Sequence, residues 1–264
     1  MDDLKKLEEK SISIIREAMT QFKNPAVMWS MGKDSTALLW LMRKALFGKL
    51  PPVIHIDTGR KFPEMYEFRD KLAKEWNLNL IIAKNQQALD SGVSEKNKFE
   101  CCTKLKTEAL KKCLEKHNFD ALFLAIRRDE HGIRAKERYF SPRNKQFKWD
   151  YKNQPPEMWD LFKGIFEDGT HFRVHPILHW KEIDIWEYMK KEKIPANPLY
   201  FAKKGKRYRS LGCIPCTSPI DSKADDIDKI IKEIKETKVA ERSGRSQDKE
   251  KEYMMQKLRA LGYM

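Results

Sequence analysis

The sequence predicts an α/β fold built on a mainly parallel sheet, and three observations carry that prediction. An apolar run ending in Trp29 is followed by a small polar turn, Ser30 to Ser35, and then by apolar residues at helical spacing from Thr36 to Leu46. A second, β-branched run, Pro52 to Asp57, follows that helix closely and is broken by Thr58-Gly59. A strand placed so soon after a helix is the mark of a βαβ unit with parallel strands and a right-handed crossover. The third observation is that the alternation continues down the chain.

Taken in order, Leu4 to Phe22 places Leu4, Leu7, Ile12, Ile14, Ile15, Ala18 and Met19 on one helical face, which packs ahead of the first strand. Phe62 to Trp76 reads as a helix, Leu78 to Ala83 as a third strand, Leu105 to Asn118 as a helix, and Ala121 to Ile126 as an apolar strand ending at Arg127-Arg128-Asp129-Glu130. From Phe140 to Arg173 the pattern weakens around Pro142, Pro155 and Pro156, and a long ordered loop over the site is expected. Val174 to Ile177 suits a short strand and Trp180 to Glu192 an amphipathic helix. Residues 1–220 then form one domain, and 221–264 a charged, helical, peripheral C-terminal extension broken at Ser243-Gly244-Arg245.

With 264 residues, 41% of them hydrophobic, the chain can bury a full core. No stretch approaches the roughly 18 to 20 apolar residues of a membrane span, and Met1-Asp-Asp-Leu-Lys-Lys is too charged for a signal peptide, so a cytoplasmic protein without a membrane partner is expected. The net charge of +14, from 53 Lys+Arg against 39 Asp+Glu, favours polyanionic partners such as nucleotides or DNA.

The chemistry starts at the first loop. A turn that opens a helix presents backbone N–H groups no helical carbonyl can accept, and the helix dipole adds partial positive charge. In V-M-W-S-M-G-K-D-S-T, Gly32 permits close approach of a phosphate, Ser30, Ser35 and Thr36 add hydroxyls, Lys33 adds a cation, and Asp34 is a candidate cap. The segment lacks the G-x-x-x-x-G-K-[ST] of a Walker A loop. In open parallel sheets ligands bind at the carboxyl ends of the strands. Asp57, Thr58 and Gly59 at one such end, and Arg127 and Arg128 at another, are therefore site candidates, the arginines as forked donors to a polyphosphate.

Five cysteines argue for metal or catalytic use before structural disulfides. Cys101-Cys102 and Cys213-x-x-Cys216 make two pairs that together suit either a tetrahedral zinc or an iron–sulfur cubane; Cys113 reads as a buried hydrophobe.

These residues together resemble the adenine-nucleotide α-hydrolase superfamily of ATP pyrophosphatases, in the branch holding sulfate adenylyltransferase small subunits and phosphoadenylyl-sulfate (PAPS) reductases. S-M-G-K-D-S is similar to the S-G-G-x-D-S pyrophosphate loop, with Met31 in place of the first glycine. H-I-D-T-G at His55 to Gly59, K-T-E at Lys106 to Glu108, R-R-D-E at Arg127 to Glu130, R-A-K-E-R at Arg134 to Arg138 and E-R-x-G-R at Glu241 to Arg245 extend the likeness over nearly the whole chain. The resemblance implies a Rossmann-like, three-layer α/β/α fold and cleavage of Mg²⁺-bound ATP between its α- and β-phosphates by an acceptor oxyanion. It gives Ser30, Gly32, Asp34, Ser35 and Thr36 the pyrophosphate, Lys33, Arg127 and Arg128 the developing charge, and Asp57, Thr58 and Gly59 the nucleoside side.

The cysteine motif Y-R-S-L-G-C-I-P-C-T from Tyr208 to Thr217, with Cys101-Cys102, resembles instead the [4Fe–4S] motif of adenylyl-sulfate reductases, yet the nucleophilic cysteine of their E-C-G-x-H motif is missing. A mosaic of this kind is similar to the iron–sulfur ATP pyrophosphatases of DNA phosphorothioation. The expectation is a sulfur-incorporation enzyme of that type, with a cysteine desulfurase as partner and DNA as possible substrate. The alternative is a sulfate adenylyltransferase small subunit with a GTPase partner; either implies a homo-oligomer or hetero-complex.

Overall fold

The computed structural model describes residues 3–152, 154–164, 170–245 and 257–262. Its centre is a six-stranded sheet in the order β3-β2-β1-β4-β6-β5, formed by β1 (Pro25–Met28), β2 (Val53–Ile56), β3 (Leu80–Ala83), β4 (Ala121–Phe123), β5 (Phe140–Arg143) and β6 (His171–Val174). All neighbours are parallel except β5, which runs antiparallel to β6 at one edge. Val27 of β1 pairs with Val53 on one side and with Phe123 on the other, so the strand feeding the polar loop lies at the middle of the sheet.

The strands alternate sides with period two, and this builds two cores. Val27, Val53, Phe123, Phe172 and Val174 face one layer, made by α1 (Asp3–Gln21), α2 (Lys33–Ala45) and α7 (Glu182–Lys191). Ala26, Met28, Ile54, Ile56, Leu122 and Leu124 face the other, where Ala109, Leu110, Cys113 and Leu114 of α6 (Glu108–His117) close the core. The α/β/α layering expected of the sequence is thus the observed one, and Cys113 is a buried packing residue. Between β2 and β3 runs α3 (Pro63–Glu75); α4 (Gln86–Asp90) and α5 (Lys98–Cys102) follow β3.

Three differences from the sequence reading have physical causes. The helix expected from Leu105 begins instead at Lys98, with Asn97 accepting from Glu100 N–H as cap, and passes through a π-helical stretch, Thr103–Thr107, into α6. The polar run before Cys101 carries no apolar period that would mark it. Second, the expected loop from Phe140 contains β5, whose Pro142 is tolerated because the strand is at the sheet edge. Third, the short strand placed at Val174 lies earlier, at His171–Val174.

Across the 220/221 boundary, a two-stranded ribbon of β7 (Lys206–Arg207) and β8 (Ile220–Asp221) leads into α8 (Ile227–Glu236) of the extension, which packs on α7. Residues 239–245 then return to the carboxyl edge of the sheet instead of remaining at the periphery. The expected helical pieces over 246–256 lie outside the described residues. Among the described residues no helix is long and apolar enough to cross a membrane.

Candidate active site

The loop between β1 and α2 is shaped by two backbone positions. Met31 takes φ +59°, the left-handed region, while its side chain is fully buried. Gly32 has an ordinary φ of −80°, so its glycine answers to space: a Cβ there would meet the Tyr200 hydroxyl at 3.3 Å and Ser30 Oγ at 3.4 Å. The helix begins at Lys33 with Gly32 as N-cap and no side-chain cap. Ser35 Oγ accepts from Ser30 N–H (3.2 Å) and donates to the Gly32 carbonyl (3.1 Å), tying the turn to the helix. Tyr200 accepts the Lys33 N–H at 2.9 Å.

The loop forms one wall of a cavity of about 150 Å³ at the carboxyl ends of β1, β2 and β4. Ser30, Gly32, Lys33, Asp34 and Ser35 line it, with His55 and Ile56 from β2 and Leu124 to Ile126 beyond β4. Five basic residues share the lining: Lys61, Lys106, Arg134, Arg242 and Arg245. Burial brings the His55 imidazole down to about 3, with Lys61 adding to the shift, so the ring is neutral at physiological pH. Burial also lowers Lys61, and Lys106 and Arg245 press in the same direction against the opposing pull of Cys213.

Behind the loop sits a buried ion-pair network. Lys33 Nζ meets Asp34 (3.0 Å) and Glu241; Arg127, fully buried, meets Asp34, Asp129 (2.9 Å) and Glu241. Burial is the largest influence and would lower the Lys33 ammonium, but Glu241, Tyr200 and Glu182 together overcome it and the net shift is upward. Glu130 is held well below the carboxylate range because Arg134, Arg127 and Arg242 together overcome its burial.

The thiols form a second cluster, within electrostatic reach of Lys61, Lys106 and Arg245. Cys101 lies within electrostatic reach of Cys102 and Cys213, and Cys102 within reach of Cys213 and Cys216. Burial pushes Cys101 and Cys102 up. It would raise Cys213 as well, but Lys106, Lys61, a hydrogen-bond contact with Thr58 Oγ1 (3.2 Å) and Arg245 bring that thiol down to about 7. Arg60 donates to Cys101 Sγ at 3.1 Å.

The candidates read from the sequence therefore separate. Ser30, Gly32, Lys33, Asp34 and Ser35 share the cavity, Arg127 backs it, and the four paired cysteines are gathered beside it. Thr36 is buried behind the loop, donating to the Gly32 carbonyl at 2.9 Å and accepting the Trp29 indole N–H at 3.1 Å. Asp57 accepts from Gly59 N–H (2.8 Å) and the Tyr66 hydroxyl (2.7 Å) outside the cavity lining, Thr58 turns to Cys213, and Arg128 lies over the Tyr139 ring at 5.1 Å. Lys61, Lys106, Tyr200, Glu241, Arg242 and Arg245 were not assigned to the site by sequence. The K-T-E and E-R-x-G-R motifs held four of these residues, but no local spacing announces that they meet the loop.

Comparison with known proteins gives this geometry a family. Residues 24–219 match the phosphoadenosine phosphosulfate reductase domain. Proteins named sulfate adenylyltransferase subunit 2 are similar over the full length: 40% identity in Psychromonas ingrahamii, covering 98% of this chain and 97% of the relative, and 41% in Saccharophagus degradans with the same coverage. This chain belongs to that family. Sulfate adenylyltransferase subunit 2 proteins are by name adenylyl-transferring enzymes, and the fold agrees with more distant structures. Candida glabrata FMN adenylyltransferase with FMN and the ATP analogue AMPCPP superposes with a TM-score of 0.59 at 20% identity, over 82% of this chain and 66% of that one. A phosphate complex of PAPS reductase from Candida auris gives 0.58 at 18% identity, over 81% and 96%.

Proposed function

We propose that the protein transfers the adenylyl group of ATP to sulfate, forming adenylyl sulfate and releasing pyrophosphate, as the smaller partner of a complex with a GTPase subunit. The observation that carries the reading is one cavity lined both by a phosphate-sized loop at a helix N-terminus and by Lys61, Lys106, Arg242 and Arg245. Full-length similarity to sulfate adenylyltransferase subunit 2 supports it over the sulfur-incorporation reading that the cysteines first favoured.

The loop would hold the leaving pyrophosphate, with Ser30 and Ser35 hydroxyls and the Lys33 ammonium meeting the charge that develops on it. The basic residues would draw in the acceptor oxyanion and place it for attack on the α-phosphorus, so that positioning supplies most of the acceleration. Neutral His55, whose Nε2 has no hydrogen-bond partner among the described residues, is suited to a polar group of the nucleoside. Asp34, Glu130 and Glu241 bring carboxylate oxygens within 4.8 Å of one another, but each is committed to a basic partner. That set does not fit a resident Mg²⁺; the ion belongs to the Mg·ATP substrate.

The second reading, sulfur incorporation of the DNA phosphorothioation type with a desulfurase partner, rests on the gathering of four thiols. No three of their sulfurs lie within 4.8 Å of one another among the described residues. A tetrahedral zinc needs sulfurs about 3.8 Å apart, given Zn–S bonds of about 2.3 Å. A [4Fe–4S] cluster, if present, would be held by Cys101, Cys102, Cys213 and Cys216, and Lys61, Lys106 and Arg245, which act on the Cys213 thiol, would offset its negative charge. Such a cluster would supply either an electron store or a clip between the two segments.

The deciding experiment is pyrophosphate release from Mg·ATP with and without sulfate, alongside product analysis. Sulfate-dependent adenylyl sulfate supports the first reading. Turnover that ignores sulfate but responds to DNA overturns it.

A further inference from the structure

Glu241 opens a 3₁₀ turn, Glu241–Gly244, and reaches two cations that come from different strand ends. We propose that Glu241 is a positioning residue of the nucleotide site, one carboxylate oxygen holding the Lys33 ammonium and the other the Arg127 guanidinium at the back of the pyrophosphate loop. The proposal rests on the reading of the cavity as an ATP site.

Lys33 and Arg127 are 1% and 0% exposed. Two like charges buried side by side repel, and each has lost its water, so they persist only with a shared counter-charge. Asp34 supplies part of it but belongs to the cavity lining, with its side chain 15% exposed; the Glu241 side chain is 6% exposed and stands behind both cations. Burial would raise the Glu241 carboxyl, and Arg127 and Lys33 together hold it low.

The backbone that carries Glu241 is fixed by a closed ring of contacts. Arg209 donates to the Val239 carbonyl at 2.6 Å and forks onto Glu182 (2.6 Å). The Glu182 N–H donates to Asp129 (2.8 Å), whose other oxygen takes Arg127 Nε, and Arg127 returns to Glu241. On the other side the Ser218 N–H donates to the Gly244 carbonyl at 3.0 Å, and Arg245 to the Leu211 carbonyl at 2.5 Å. A carboxylate held so firmly sets the cations before any ligand arrives.

Substituting Glu241→Gln turns one of the two acceptors into an amide donor and leaves the buried pair short of one negative charge. The groups then facing Lys33 are Asp34 on its own helix, Arg127 and Glu130 from the turn after β4, Tyr200, and Glu182 at the start of α7. The loss falls on the ammonium, whose proton affinity drops.

The test is calorimetric titration of the full chain with the Mg²⁺ complex of the non-cleavable analogue AMPCPP from pH 6.5 to 9.5, using wild type, E241Q and E241D. Expected are a nearly flat wild-type profile, E241Q close to wild type at low pH and weakening about tenfold for each unit above the lowered ammonium pKa, and E241D between them. An equal loss at every pH assigns Glu241 a merely structural role and overturns the proposal. Binding tighter than wild type also overturns it, since Glu241 would then be an occupant the phosphates displace. If E241Q does not fold, E241D is judged by the same pH criterion. A wild type that fails to bind overturns the nucleotide reading and the clamp together; normal wild-type binding with unchanged variants overturns the clamp alone.

Discussion

Met31 offers the sharpest check of how the loop is built. Resemblance places a glycine there, and the backbone agrees, with φ +59°. Yet the residue is 0% exposed and belongs to the main hydrophobic core. Removing a buried Met side chain costs about 2–5 kcal/mol, while a non-glycine residue in the left-handed region carries about 1–2 kcal/mol of strain. Met31→Ala keeps the strain and loses the packing. Met31→Gly loses the packing but sheds the strain, for a net destabilisation of about 1–4 kcal/mol. The expected order of stability is Met, then Gly, then Ala, with Gly above Ala by about 1 kcal/mol, the reverse of their usual order inside regular structure. Urea and thermal unfolding of the three proteins measure this, each kcal/mol moving Tm by roughly 2–4 °C in a chain of this size. An alanine variant as stable as the glycine variant would refute the left-handed backbone. A glycine variant as stable as wild type would refute the packing.

Other predictions follow from the same contacts. Arg127→Ala leaves Asp34 and Glu241 sharing Lys33 alone, so a loss of about 3–5 kcal/mol in unfolding free energy is expected, together with loss of pyrophosphate release; retained turnover would remove Arg127 from the site. Glu137 is buried with Arg143 and Arg259, which hold its carboxyl low against its burial. A depressed folded pKa contributes stability above the unfolded carboxyl value of about 4.3 that is lost as pH falls, so Glu137→Gln is expected to be less stable at neutral pH and shallower in its acid dependence, by urea midpoints from pH 3 to 7. Protein purified without oxygen is expected to carry iron and to absorb near 400 nm (roughly where such clusters absorb), and Cys213→Ser to lose both while still binding AMPCPP. Iron-free wild type counts against the cluster, and joint loss of iron and nucleotide binding counts against separate sites.

Strands β1 to β4 were legible because they are short, apolar and regularly spaced, whereas β5 (Phe-Ser-Pro-Arg) and β6 (His-Phe-Arg-Val) carry polar residues that hide them. Val27 to Trp29 and Pro52 to Asp57 announce buried strands on composition alone, and both pair where a βαβ unit requires. The loop residues were legible for the same local reason: strand, turn and helix are consecutive in sequence. Asp57 and Gly59 show the limit of strand-end reasoning. They do sit at the carboxyl end of β2, but Asp57 is consumed by its own turn and by Tyr66, and His55 and Ile56, just upstream, line the cavity instead. Arg127 and Arg128 split because Arg127 is the last extended residue after β4 while Arg128 opens a 3₁₀ turn, Arg128–Glu130. One faces the buried network; the other lies over Tyr139.

What the sequence could not show is assembled across distance. Lys33 and Glu241 are separated by 208 positions, and Thr58 and Cys213 by 155. No periodicity connects such residues; only the folded sheet edge does. The same edge explains why a charged C-terminal stretch returns to the loop. Lys33 and Arg127 must stay charged where they are buried from water, and, on the proposed reading of the cavity as an ATP site, a carboxylate in the lining strong enough to do so alone would compete with the phosphates for the same space. Asp34 stands in that space and serves as one partner. Glu241, brought in from behind the loop, supplies the remaining charge without entering the path of the ligand. Its carrier segment is anchored to the loop around the 3₁₀ turn Ile214–Cys216, which bears Cys213 and Cys216, through Gly244 and Arg245. The loop and the cations are therefore joined by a few backbone contacts and not by the thiols themselves, so loss of the Gly244 and Arg245 contacts, and not of a single thiol, should loosen the nucleotide site through Glu241.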